Sequence, residues 1–119
     1  MIQFSNQMIT ANKTHKGLFI KMKGISRLNL NNAGKLFHKV RRAVHRDGHN
    51  VFLDMDGIRF IDSTGFTTLL KIKEMLHEKD KELYLLNVSE EVRELLQLLK
   101  LDRELQFMDS EYLWPEEKL

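Results

Sequence analysis

Between residues 50 and 77 the hydrophobic pattern of the chain changes period, and this limits the available folds more than any other feature. "NVFLDM" at 50–55 is a short apolar run of strand length. From Phe66 onward, Phe66, Leu69, Leu70, Ile72, Met75 and Leu76 recur at helical spacing. The period thus passes from that of a strand to that of a helix across residues 56–65, which end in Asp62-Ser63-Thr64-Gly65. A strand leading directly into an amphipathic helix must bury the helix's apolar stripe against a sheet, which selects an α/β layer.

The flanking chain follows the same alternation. Residues 8–12 and 17–23 read as strands, the second with Leu18, Ile20 and Met22 alternating against Phe19, Lys21 and Lys23, and Gly17 or a neighbour makes the turn. From a cap at Asn31 or Asn32, "AGKLFHKVRRAVHRD" sets Leu36, Phe37, Val40 and Val44 on one helical face and is expected to stop at Gly48. "ELYLLNV" at 82–88 is the next strand. Ser89 then caps a helix whose first turn carries Glu90 and Glu91, which suit the positive end of the helix dipole. "ELQFM" at 104–108 closes the sheet, and a short helix is expected at 110–118. The fold class is α/β, a mixed sheet of about four to five strands packed with α-helices, with 50–55 as a central strand.

At 119 residues, 42% of them hydrophobic, the chain holds one real core and has no room for two domains of ordinary size, so residues 1–119 are read as a single domain. Lys and Arg number 19 against 17 Asp and Glu, and the net charge of +2 gives no general reason to bind nucleic acid. The absence of Cys removes disulfides, thiolate nucleophiles and Cys-rich zinc sites, and agrees with a cytoplasmic setting. With no run of about 18 apolar residues and no basic-then-apolar start, neither membrane insertion nor a signal peptide is expected.

Several local patterns imitate chemistry that the rest of the chain does not complete. "VFLDMDGIRF" resembles the nucleophile motif of haloacid dehalogenase-type phosphotransferases, in which two Asp, here Asp54 and Asp56, gather around magnesium. That reaction also needs a downstream Lys and a later acidic pair, so a strand-ending Asp54 and an Asp56-Gly57 turn account for the motif better. Asp62-Ser63-Thr64-Gly65 has one residue too many for an aspartic protease and no second copy. Ile61 stands where a hydrolase elbow needs its first Gly. Of His15, His38, His45, His49 and His77, only His45 and His49 are spaced i, i+4, and Gly48 falls between them, so no metal set is expected. The basic run Lys35, Lys39, Arg41, Arg42 and Arg46 is better explained as a solvated helix face than as a surface for an acidic partner or a membrane. No catalytic residue and no cofactor are expected from these patterns.

The loop before the helix remains. One of Asp62, Ser63 and Thr64 is the N-cap, and the others crowd the free amides of the first turn. Gly65 costs roughly 1 kcal/mol of helix propensity relative to Ala, which a cap does not require; it lets another backbone or a large group approach closely. A hydroxyl at this place can be phosphorylated, adding about −1.5 to −2 charges beside Asp62 and near helix amides that tolerate them. Such a modification changes docking and leaves the fold in place.

"NVFLDMDGIRFIDSTGFTTLLKI" at 50–72 resembles the STAS domains of bacterial anti-sigma factor antagonists, whose hallmark is an apolar strand, a short loop, and Asp-Ser-Ser/Thr-Gly opening a helix. The order of strands and helices extends the likeness along most of the chain. The resemblance implies that Ser63 is phosphorylated by an anti-sigma factor that is also a serine kinase, and that a phosphatase reverses this. It implies further that the unphosphorylated form binds the anti-sigma factor and frees the sigma factor, with Asp62, Thr64, Gly65 and Phe66 in the contact loop and helix. Lone STAS domains also serve as non-phosphorylated accessory or scaffold subunits, for example of lipid-transport ABC systems, and this is the alternative. One segment departs from the family. Where members often carry Gly-Glu-Leu-Asp-like sequence, this chain reads "GISRLNLNNA" at 24–33, and Arg27 and Asn29 replace the acidic character, which points to a different partner.

Overall fold

The computed structural model describes residues 8–45 and 48–108. Strand β1 (Met8–Thr14) and strand β2 (Gly17–Lys23) form an antiparallel hairpin with Met8 opposite Lys23 and Thr14 opposite Gly17. The turn is therefore His15-Lys16, tightened by the Lys16 N–H donating to Thr14 Oγ1 at 3.1 Å. Gly17 opens β2 at φ +148°, and a Cβ there would run into the carbonyl oxygen of Asn50. Its smallness lets β2 meet the strand that follows, because the Leu18 N–H donates to that same carbonyl at 2.8 Å.

Three further strands join by parallel crossovers: β4 (Val51–Asp54), β6 (Leu83–Leu86) and β7 (Gln106–Met108), in the order β1-β2-β4-β6-β7. The run at 50–55 thus becomes the middle strand, as its continuous apolarity requires. Helices α1 (Ala33–Ala43), α2 (Ser63–His77) and α3 (Glu90–Leu98) carry the three crossovers. Since parallel crossovers are right-handed and the strand order runs in one direction, all three helices lie on one face of the sheet.

Alternation divides the strands accordingly. Leu18, Ile20, Met22, Val51, Leu53, Leu83 and Leu85 join the helices in one core with Leu36, Val40, Leu69, Ile72, Leu76, Val92 and Leu96. The opposite face carries a stacked row, Phe19 on Phe52 with ring centres 4.7 Å apart and Phe52 on Tyr84 at 5.2 Å. Lys21 and Lys23 are exposed, as the alternation predicts.

Two expectations are corrected. The first helix ends at Ala43, with Val44 as C-cap, and not at Gly48. Val44 leaves helical geometry at φ −104°, ψ 9° while staying buried, and the Lys79 ammonium donates to the carbonyl of His45, the residue after the cap, at 3.1 Å. Gly48 answers to a different demand, since a Cβ there would lie 3.1 Å from Lys79 Cβ and 3.2 Å from Lys81 Cγ. The closing strand is shorter than 104–108, because Glu104 belongs to the preceding turn, its N–H donating to the Leu101 carbonyl. An unexpected two-stranded parallel sheet joins β3 (Arg27–Leu28) to β5 (Phe60–Ile61), with Arg27 opposite Phe60 and Leu28 opposite Ile61. The helix expected at 110–118 lies outside the described residues.

Candidate functional site

The start of α2 is held from two directions. Asp62 is the N-cap in extended conformation, and its Oδ1 accepts from the Gly65 N–H at 2.8 Å. Its other oxygen, Oδ2, accepts from the Leu30 N–H at 3.1 Å, and its own N–H donates to the Leu28 carbonyl at 3.1 Å. Of the three cap candidates, Asp62 therefore takes the role and also binds the small sheet to the helix. Ser63, the first helical residue, is left exposed, and Thr64 is half-buried.

Gly65 and Phe66 turn inward. A Cβ on Gly65 would lie 2.6 Å from both the Leu28 carbonyl oxygen and Ile61 Cγ2. The backbone expected to approach this glycine is thus that of Leu28. Phe66 is only 6% exposed and belongs to the core. Both residues fix the height and angle of the loop from beneath instead of presenting a surface.

The 24–33 segment is bonded to the same loop. The Ser26 carbonyl accepts from the N–H groups of Arg59 at 2.8 Å and Phe60 at 3.3 Å. Asn32 is buried, yet its side chain does not cap α1; Oδ1 accepts from the Asn29 N–H at 2.9 Å and Nδ2 donates to the Arg27 carbonyl at 2.7 Å. Asn29 Oδ1 in turn accepts from the Asn31 N–H at 2.9 Å. This lattice of short amide bonds fixes the loop and leaves Leu30 outside, 73% exposed. Phe60, 41% exposed, lies beneath the Arg27 guanidinium, 5.5 Å from its ring centre. Leu30, Phe60 and Arg27 thus lie on segments tied to the Ser63 loop, Leu30 through its bond to Asp62 and Arg27 through its pairing with Phe60; the sequence singles out Arg27 but neither Leu30 nor Phe60. The available signal was Leu30 itself, an apolar residue among three asparagines and an arginine at 27–32 whose turn directs it away from buried Leu28.

The geometry does not activate Ser63 for chemistry of its own. Both carboxylate oxygens of Asp62 accept from backbone amides and are oriented by them, so Asp62 is not placed as a base for the hydroxyl. What the site offers is an accessible hydroxyl on a rigid helix start, beside helix amides that tolerate added negative charge.

The other candidates resolve into local structure. Asp54 Oδ1 accepts from the Asp56 N–H and from Asn87 Nδ2, each at 3.0 Å, so it closes its own turn and secures the next loop. His38 Nδ1 lies 3.2 Å from the Arg41 guanidinium and His77 Nε2 lies 2.9 Å from Glu82 Oε2. Among the described residues no three His, Asp or Glu side chains are grouped to hold a metal ion, and no helix is long and apolar enough to cross a membrane. Lys35, Lys39, Arg41 and Arg42 line the exposed side of α1; Arg46 lies outside the described residues.

A family model described as the STAS domain matches residues 10–112. No curated protein sequence matches the chain significantly. Among solved structures, a candidate anti-sigma factor antagonist of Thermotoga maritima, TM1081, is 22% identical with a TM-score of 0.73, and the match covers 92% of each chain. The anti-sigma factor antagonist SpoIIAA in its unphosphorylated form is 17% identical with a TM-score of 0.65, covering 86% of this chain and 88% of that one. The phosphorylated form of the Bacillus cell fate determinant SpoIIAA is 19% identical with the same TM-score, covering 86% and 90%. At these identities the likeness to solved structures establishes the fold.

Proposed function

The chain belongs to the STAS domain family, and from that premise we propose that it is an anti-sigma factor antagonist switched at Ser63. In its unphosphorylated form it binds an anti-sigma factor that is also a serine kinase, and so releases a sigma factor for transcription in the bacterial cytoplasm. Phosphorylation of Ser63 ends that binding and a phosphatase restores it. The protein is then a substrate and a ligand, with no catalytic step of its own.

The observation that carries this reading is the placement of Ser63, exposed at the first position of a helix whose cap is a different residue. Because Asp62 makes the capping bond, a phosphate on Ser63 displaces no hydrogen bond on which the fold depends. It adds about −1.5 to −2 charges to the surface where Asp62, Thr64, Leu30 and Phe60 meet a partner, and the repulsion and desolvation fall on the complex. Gly65 and Phe66 support the contact from below. SpoIIAA, described as an anti-sigma factor antagonist and in both phosphorylated and unphosphorylated forms, is the precedent we carry to Ser63.

Mass spectrometry of the protein isolated from its native cells is expected to find phosphate on Ser63, and Ser63→Asp is expected to weaken capture of the kinase-type partner. The second reading, a non-phosphorylated accessory or scaffold subunit, draws on Arg27 and Asn29, which stand where the family is often acidic. Unmodified Ser63 in every growth phase, with capture indifferent to Ser63→Asp, selects that reading.

A further inference from the structure

Residues 24–46 contain no Asp or Glu, yet they carry Arg27, Lys35, Lys39, Arg41, Arg42 and Arg46 out of 19 basic residues in the chain. With 17 acidic residues elsewhere, this is a segregation of charge that the net value of +2 conceals. The acid-free stretch is also continuous with the Ser63 loop. Leu30 donates to Asp62 at 3.1 Å, β3 pairs with β5, and α1 begins three residues after Leu30 with Lys35 exposed in its first turn. Arg27 covers the exposed Phe60 ring, and the neighbouring Arg59 is already engaged by Glu91 at 2.9 Å.

We infer that the partner's docking face is acidic, with carboxylates placed opposite Arg27 and Lys35 around an apolar socket for Leu30 and Phe60. This rests on the proposed function and specifies the partner for the same site. Basic side chains beside an exposed Leu and Phe match a partner of opposite sign, since interfaces place apolar anchors inside a complementary charged rim. The same arrangement gives the switch its sign. A phosphate on Ser63 and the partner's carboxylates are alternative counter-ions for one cationic surface, so modification both occupies the cations and repels the acids. A basic partner face would instead be attracted by the added phosphate.

The test begins with a photo-crosslinking amino acid at position 30 or 60 in the native cell, which identifies the bound protein. That protein is purified, and its affinity for the full chain is measured by calorimetry at about 50 mM and about 300 mM salt, where exposed charge pairs are progressively screened. We expect Arg27→Glu to weaken binding about 10-fold or more, Arg27→Ala and Lys35→Glu to weaken it several-fold, and added salt to weaken it. Circular dichroism confirms that these exposed substitutions leave the fold unchanged. If Arg27→Glu is neutral or tightens binding while Ser63→Asp abolishes it, the acidic face is wrong and the switch stands. If Ser63→Asp is neutral while Arg27→Glu weakens binding, the switch is wrong and the acidic face stands. Absence of any crosslinked protein overturns both.

Discussion

Leu30 and Asp62, 32 positions apart in the sequence, are joined by a hydrogen bond of 3.1 Å from the Leu30 N–H to Asp62 Oδ2. The bond makes one surface of two loops, since the other Asp62 oxygen holds the first turn of α2. Residues 24–33 and the Ser63 loop are therefore held together as one surface.

Asp62→Ala removes both bonds and is expected to cost about 1–2 kcal/mol, lowering the melting temperature by roughly 4–10 °C. Asp62→Asn keeps an oxygen for Gly65 and should lose about half as much. Thermal unfolding followed by circular dichroism measures both. Equal stability of all three proteins contradicts the two-sided clamp.

Two glycines in helices should respond oppositely to alanine. At Gly34 a Cβ meets nothing within 4 Å, so Gly34→Ala gains helix propensity and should stabilise by about 0.5–1 kcal/mol. At Gly65 the same propensity gain is outweighed by contact at 2.6 Å with the Leu28 backbone, and Gly65→Ala should destabilise by about 1–3 kcal/mol. Urea unfolding of the pair reads the difference in sign.

The layer architecture was legible because burial writes long periodic signals. The run at 50–55 and the stripe from Phe66 to Leu76 predict the central strand and its helix, and Asp62-Ser63-Thr64-Gly65 predicts where the helix starts. Ser89 is likewise found as the cap of α3, accepting from the Val92 N–H at 3.2 Å. The β3–β5 pair was not legible, because two residues per strand carry no period. Gly48 looks like a helix stop, but α1 ends at Ala43, and the chain just past its cap is held by Lys79, more than thirty residues downstream, through the His45 carbonyl. Within the site, Ser63 was visible from its neighbours, Phe66 from the apolar stripe and Gly65 from its cost to the helix, whereas the identity of the backbone that meets Gly65 and the outward turn of Leu30 depend on contacts between distant segments.

Substitutions at Ser63 should leave the fold intact. Ser63→Ala is expected to change stability by less than about 0.5 kcal/mol, since the side chain is exposed and Asp62 makes the cap. Ser63→Asp places a carboxylate at the positive end of α2 and should stabilise by about 0.3–1 kcal/mol. Denaturant unfolding checks both, and a large loss in either would show that the hydroxyl is structural.

Leu28 and Leu30 separate structure from docking. Leu28 is fully buried, and Leu28→Ala should cost about 2–5 kcal/mol. Leu30 is 73% exposed, so Leu30→Ala should leave stability within about 0.5 kcal/mol and weaken partner binding. Unfolding and affinity measured on the same two variants should show this exchange of effects.

Calorimetric titration of the purified partner into the chain with Ser63 unmodified and with Ser63 phosphorylated addresses the account at its centre. The expected result is binding at least about 100-fold weaker after phosphorylation, with the melting temperature preserved. Equal affinity in the two states, or loss of affinity accompanied by unfolding of the domain, would contradict a switch that acts on docking alone.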